Sequence, residues 1–280
     1  MNVKFLNNLL KKISSIFSSL RTNGEDTPNS NSPEPLNENS APIGAQPAQN
    51  SSAFMQTKKY DYSKFAVCID NGHGEETPGK RSPYASDKKN TPALYLREYQ
   101  FAREVASRLK AELEAAGVTV FLCTPETRDI ALSTRARRAN DFQSANPQLH
   151  CVFVSIHANA SGSDNKWHQA SGWECWTTEG KNNSDELAAC LYDAAGQVFP
   201  PLNMKVRRHG TTRLTWNAEK NFTVIYRANM PAVLTENFFQ DNVSDCTFLL
   251  SETGIQSIVN VHVQGLISFA KEKGYITEKS

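Results

Sequence analysis

Four features are scarce or absent in this chain of 280 residues, and each absence removes a class of function. Charge of neither sign dominates: 30 Lys and Arg stand against 29 Asp and Glu, for a net charge of +1. No basic block interrupts the body of the chain, so composition predicts no nucleic acid partner. No apolar run approaches the roughly 20 residues that cross a bilayer as a helix. The spacings CxxC and HExxH are both missing, which excludes a zinc ribbon and the helical zinc-peptidase motif. The cysteines, at 68, 123, 151, 175, 190 and 246, lie mostly inside apolar runs such as "AVCID" and "HCVFV". That is the place of buried, reduced thiols rather than of a disulfide framework.

Large apolar residues are the fourth scarcity, and it is local. From Asn23 to Thr57 the chain is rich in Asn, Ser, Pro and Gln, and has too little to bury to offset the entropy of ordering. Residues 23–59 are therefore predicted to be a disordered linker. Ahead of it, in residues 1–22, Phe5, Leu6, Leu9, Leu10, Ile13, Ile16, Phe17 and Leu20 recur at helical spacing, with Lys11, Lys12 and serines opposite. The pattern predicts a short amphipathic helix, read either as a contact with a membrane surface or protein partner or as a terminal segment that frays. Lys11 and Lys12 interrupt the apolar core that a secretory signal needs. With reduced thiols, this predicts a protein made and held in the cytoplasm.

Residues 60–276 read as one globular unit. Strand-like runs occur at Phe65 to Asp70, Val118 to Cys123, Cys151 to Ile156, Trp173 to Thr177 and Ala232 to Thr235; helical periodicity occupies about 92–116, 131–145, 184–198 and 254–272. The alternation predicts an α/β fold, a largely parallel sheet flanked by helices. In such sheets the ligand site lies beyond the carboxyl ends of the strands. Three polar side chains share that address: His73 after "AVCIDNG", His157 at the end of "CVFVSIH" and Glu236 near the end of "PAVLTE". Glu98 is a fourth candidate. It lies on the apolar stripe of Ala102, Val105 and Leu109, where a carboxylate must be protonated, paired or bound to a metal. A start signal at Thr91 and Pro92 puts it in the second helical turn, past the reach of the dipole. Two histidines and a carboxylate form a recurrent zinc set, with another carboxylate managing the proton. Spacing alone leaves open which glutamate binds and which works.

The ordered motifs "VCIDNGHG", "LREYQFAREVASRLKAELEAAGVTVFLC", "LSTRARRANDF", "VFVSIHANASG" and "FTVIYRANMPAVLTENFF" resemble those of the zinc-dependent N-acetylmuramoyl-L-alanine amidases of the Amidase_3 family. The resemblance runs from Ala66 to the C-terminal helix and implies a single α/β domain around a mixed sheet. It implies zinc ligands at His73, Glu98 and His157, and a catalytic base at Glu236. The implied reaction is hydrolysis of the amide joining N-acetylmuramic acid to the L-alanine of the peptidoglycan stem peptide, as in an endolysin or autolysin of phage or bacterial origin acting on the cell wall. Three departures stand out: Asn71 replaces a usual proline, "CTPETRD" lacks the clean threonine and arginine usual after the second strand, and "ENFF" places Asn237 and Phe238 where the family has a small or apolar residue and a glycine. Two rivals remain, a non-catalytic wall-binding or regulatory module and a zinc peptidase acting on stem peptides.

The other histidines read otherwise. His262 falls on an apolar stripe and is expected in the core, His150 and His168 at the surface, and His209 in a solvated basic loop, "VRRHGTTRLTW", whose other reading is the wall of a groove for acidic substrate groups. Trp173 and Trp176 flank a strand on opposite faces, so one of them is a candidate for sugar contact.

Overall fold

The computed structural model describes residues 60–83 and 94–279, all within one compact unit spanning Gln49–Ser280. The predicted N-terminal helix, the linker and the helix start signal at Thr91 and Pro92 lie outside the described residues.

The strands are β1 (Tyr60–Asp61), β2 (Phe65–Asp70), β3 (Thr119–Leu122), β4 (His150–Asn159), β5 (Glu174–Thr177), β6 (Ala218–Glu219), β7 (Ala232–Phe239) and β8 (Thr277–Glu278). The helices are α1 (Glu98–Ala116), α2 (Leu132–Ala145), α3 (Asn183–Val198), α4 (Thr223–Tyr226), α5 (Val243–Leu249) and α6 (Glu252–Glu272). Strands β2 to β7 form a six-stranded sheet in the order β3-β2-β4-β7-β5-β6. β3, β2, β4 and β7 are mutually parallel, whereas β5 runs antiparallel to β7 with β6 parallel to β5. The sheet is therefore mixed. Every residue of β2 is buried, as expected of a parallel strand covered on both faces.

Two apolar layers sandwich the sheet. On one face Val67, Ile69, Val152, Val154 and Ile156 pack with Val105 and Leu109 of α1, Leu187 and Leu191 of α3, and Ile258 and Leu266 of α6. On the other, Ala66, Cys68, Cys151, Phe153 and Leu234 pack with Ala139 of α2 and Val224 and Ile225 of α4. All the cysteines are buried and unpaired. Helix ends follow local chemistry: α1 stops at Gly117, whose φ of 99° suits a glycine, and Asn182 with Asp185 forms a capping box at the start of α3.

Helix α1 begins later than its periodicity predicts. Ser82 donates its backbone N–H to Leu96 O and Glu98 donates to Lys80 O, so residues 96–98 are held extended beside 80–82, and Arg97, at φ −107° and ψ 119°, is the N-cap. Glu98 is thus the first residue of the helix, not part of its second turn. Its carboxylate lies within reach of the helix N-terminal field, which favours the ionised form.

Candidate active site

Strand β2 ends at Asp70 and the chain turns through Asn71, Gly72 and His73. A Cβ on Gly72 would stand 2.7 Å from His157 Cε1 and 2.8 Å from Ile156 O, so only glycine lets this turn lie against β4. His73 follows at φ 52°, a left-handed backbone that few non-glycine residues adopt. Arg103 of α1 secures the turn, donating to His73 O at 3.1 Å and to Glu126 O at 2.6 Å.

The turn brings His73 to Glu98 and His157. His157 Nδ1 lies 3.0 Å and His73 Nε2 3.4 Å from the same oxygen, Glu98 Oε1, with the two imidazole rings near perpendicular and 4.9 Å apart. One ligand atom from each of the three residues lies within 4.8 Å of the others. Bonds of about 2.0–2.1 Å in a tetrahedral zinc site put ligand atoms roughly 3.4 Å apart, so the spacing suits a metal ion.

The hydrogen bonds around His157 test that fit. Ser155 Oγ lies 2.7 Å from Asp70 Oδ2 and 3.0 Å from His157 Nε2. A hydroxyl has one hydrogen, and the Asp70 carboxylate only accepts, so Ser155 donates to Asp70 and accepts from His157 Nε2–H. Nδ1 is then left with a bare lone pair facing a carboxylate oxygen at 3.0 Å. Two acceptors at that distance require a proton or a metal cation between them. The chain of bonds continues inward, since Arg135 donates to Asp70 at 3.2 Å, to Asp129 at 2.6 Å and to Ile130 O at 2.6 Å. Asp70 and Arg135 are both buried.

Electrostatics follow from this packing. Burial alone would raise the Glu98 carboxyl, but the hydrogen bonds from His157 and His73 outweigh it and hold the group well below the usual carboxylate range. Burial lowers His73, whereas in His157 the Glu98 partner overcomes burial and raises it. Gln240 Nε2 and the backbone N–H of Ala158 also donate to Glu98.

Glu236 reaches the cluster through sheet register. It pairs directly with His157 across β4 and β7, and with Glu174 across β7 and β5, so the three side chains stand in a row on one face. Glu236 Oε2 is sealed from solvent and has no hydrogen-bond partner. Burial pushes this carboxyl up, against the pull of His157. Next to it Asn237 is fully buried, accepting from Trp173 Nε1 at 2.9 Å and donating to His157 O at 2.9 Å. Phe238, where the resemblance leads one to expect glycine, sits at φ 64° and is buried against Phe199 and Phe248.

Sequence reasoning missed Glu174. Its carboxylate is 2% exposed and accepts from Asn159 Nδ2 at 2.8 Å, Arg207 Nε at 2.7 Å and His209 Nε2 at 2.9 Å. His209 is therefore bound at the edge of the site rather than free in a solvated loop. His262 is a core residue as expected, bonded to Ile258 O at 2.7 Å and Thr235 Oγ1 at 3.0 Å. His150 is exposed and stacks on Tyr275; His168 pairs with Asp164. Of the two tryptophans, Trp173 is fully buried, while Trp176 is partly exposed and leans on His209 and Phe222.

Known proteins resemble this chain in sequence and fold. The chain is 27% identical over 203 residues to the sporulation-specific N-acetylmuramoyl-L-alanine amidase of Bacillus subtilis strain 168, covering 71% of this chain and 66% of that relative. It is also 27% identical over 203 residues to the endolysin of Bacillus phage SPP1, covering 71% and 64%. The chain thus spans just under two-thirds of the length of these curated relatives. A crystal structure of an N-acetylmuramoyl-L-alanine amidase from Clostridium difficile 630 superposes with a TM-score of 0.59 at 27% identity, covering 76% of this chain and all of that one. Residues 67–268 match the family model Amidase_3, described as N-acetylmuramoyl-L-alanine amidase, and with the match spanning most of the molecule the chain belongs to that family.

Proposed function

We propose that residues 60–276 are a catalytic domain that hydrolyses the amide between N-acetylmuramic acid and L-alanine in bacterial peptidoglycan, with zinc held by His73, Glu98 and His157 and with Glu236 as the base. The observation that carries this reading is the close approach of His157 Nδ1 to Glu98 Oε1, at 3.0 Å, beside the unpartnered Oε2 of Glu236. The first is a place for a cation. The second belongs to a carboxylate that the protein leaves unengaged.

When bound, zinc supplies Lewis-acid polarisation of the scissile carbonyl and makes the attacking water more acidic. The protein supplies the rest. Ser155 and Asp70 hold the His157 ring in the tautomer that presents Nδ1 to the metal. Glu236 takes the proton from the attacking water and delivers it to the departing L-alanine nitrogen, without which the amine is too poor a leaving group. A carboxyl pushed above its ordinary value suits that two-way transfer. Such an enzyme works at the cell wall, as a phage lysin or a bacterial remodelling enzyme, and among the described residues no helix is long and apolar enough to cross a membrane.

The test is digestion of purified peptidoglycan by the full chain, with a chelator and with zinc restored, reading the products by mass spectrometry. Stem peptides with a free L-alanine amine, lost with the chelator and regained with zinc, are expected. Release of a new amine on a cross-bridge residue would assign a peptidase instead, and intact wall with folded, zinc-loaded protein would refute catalysis.

A further inference from the structure

One charged group beside the site is unused by this chemistry. Arg207 lies on a segment pinned to the start of β5: Trp173 donates its backbone N–H to Lys205 O, and Arg207 donates to Trp173 O, both at 2.9 Å. Gly172, at φ 117°, makes room for it, since a Cβ there would come 3.0 Å from Arg207 Cγ. The guanidinium is also placed over the Phe239 ring, 5.1 Å from its centre, at the end of the strand that carries Glu236. Backbone, ring and carboxylate contacts all fix one long side chain that is still 32% exposed.

The way Glu174 holds Arg207 is informative. The contact uses Nε alone, at 2.7 Å, and no acceptor among the described residues engages either Nη group. A guanidinium offers two planar forks, and the end-on fork formed by the two Nη groups is left for a ligand. His209, also about one-third exposed, shares the same Glu174 oxygen. Lys80 is also close enough to act electrostatically on Glu236. A buried glutamate that needed only neutralising would be served by an enclosed arginine. Here one register step from Glu236 the protein builds an immobilised, accessible fork.

Resting on the amidase reading above, we infer that Arg207, positioned by Glu174 and steadied by His209 and Phe239, binds a carboxylate of the stem peptide and so orients the substrate for cleavage next to Glu236. The recognised chemistry is a planar carboxylate, which an end-on guanidinium holds with two parallel charge-assisted bonds. Amidation of that carboxylate removes the charge and one of the acceptors. Discrimination on the order of 10- to 100-fold follows for a charged hydrogen-bonded contact.

The experiment compares two synthetic muramoyl peptides, identical except that the stem carboxylates are free in one and amidated in the other, as substrates of the zinc-loaded full chain. Wild type is expected to cleave the free form with a kcat/KM about tenfold or more higher. Arg207→Gln should lose mainly on the free form, through KM, bringing the ratio close to one, while Arg207→Lys keeps part of it. Titration of the free stem peptide into zinc-free protein should show the same loss of binding in Arg207→Gln, a readout independent of turnover. Equal cleavage of the two peptides by wild type, or an unchanged ratio in Arg207→Gln, overturns the inference while leaving the amidase reading intact. If neither peptide is cleaved, both fall.

Discussion

Glu236→Gln separates the proposed base from the proposed metal ligands and also tests whether Glu236 fits its surroundings badly when no metal is bound. The substitution preserves shape and removes the charge. Metal content should not change, because the proposed ligand atoms belong to His73, Glu98 and His157. Turnover should fall by roughly 10²- to 10⁴-fold, the usual contribution of a positioned acid–base group. The metal-free protein should become more stable. Glu236 Oε2 is enclosed without a partner, and burial holds the carboxyl above its ordinary value. An acid raised in this way costs stability as pH climbs above the unfolded carboxyl value, so the gain from glutamine is small near pH 5 and grows toward pH 8. Removing the charge of this desolvated carboxylate is worth about 1–3 kcal/mol at pH 8, or roughly 2–10 °C in Tm for a domain of this size. The assay is thermal unfolding of chelator-treated wild type and variant at both pH values, beside zinc content and peptidoglycan turnover. A variant that loses zinc as completely as His73→Ala does, or whose metal-free Tm advantage is larger at pH 5 than at pH 8, would refute the assignment.

Other outcomes follow from the same geometry. Ser155→Ala removes the acceptor for His157 Nε2–H and frees the ring to flip tautomer; zinc affinity should drop about 10- to 100-fold in competition with a chromophoric chelator, with the circular dichroism spectrum unchanged. Arg135→Met leaves the buried Asp70 without its cation and should cost about 3–5 kcal/mol in denaturant unfolding, and adding Asp70→Asn should recover most of it. His262 is buried, with a pKa lowered by that burial to about 4, so the unfolded chain binds the extra proton first. Stability is therefore lost as pH falls from about 6.5 to about 4, by roughly 3 kcal/mol, and a His262→Gln variant should show a flatter acid limb.

Much of the site was readable because parallel strands advertise their ends. The apolar runs of β2, β4 and β7 stop at polar residues, and a parallel sheet puts those stops on one edge; His73, His157 and Glu236 were found that way. The stripe of α1 correctly turned Glu98 inward. Its place along the helix was misread, because the extended pairing of residues 96–98 with 80–82 is a tertiary contact that helical periodicity does not carry. Glu174 escaped for a topological reason. β5 is antiparallel to its neighbour, so its beginning, not its end, reaches the site, and a search of strand ends passes over it. The alternation in "GWECWT" held the missing signal, for Glu174 and Trp176 share a face and a charged residue beside Trp173 needs a partner. Phe238 shows the reverse case: the sequence marks the missing glycine, while the structure shows how the left-handed backbone is tolerated, through burial among Phe199 and Phe248.

The row formed by His157, Glu236 and Glu174 also imposes an order in time. The three residues that could hold a metal ion are all made by the time residue 157 leaves the ribosome, and β5 follows soon after, yet the strand that joins β4 to β5 is the last of the sheet to be synthesised. Without β7 nothing pairs β5 to β4, so Glu174 and its basic neighbours have no sheet register with His157, and Glu236 is absent. A chain interrupted before Ala232 would thus carry all three proposed metal ligands and lack the proposed base. The proposed site is complete only when that one strand is in place between β4 and β5.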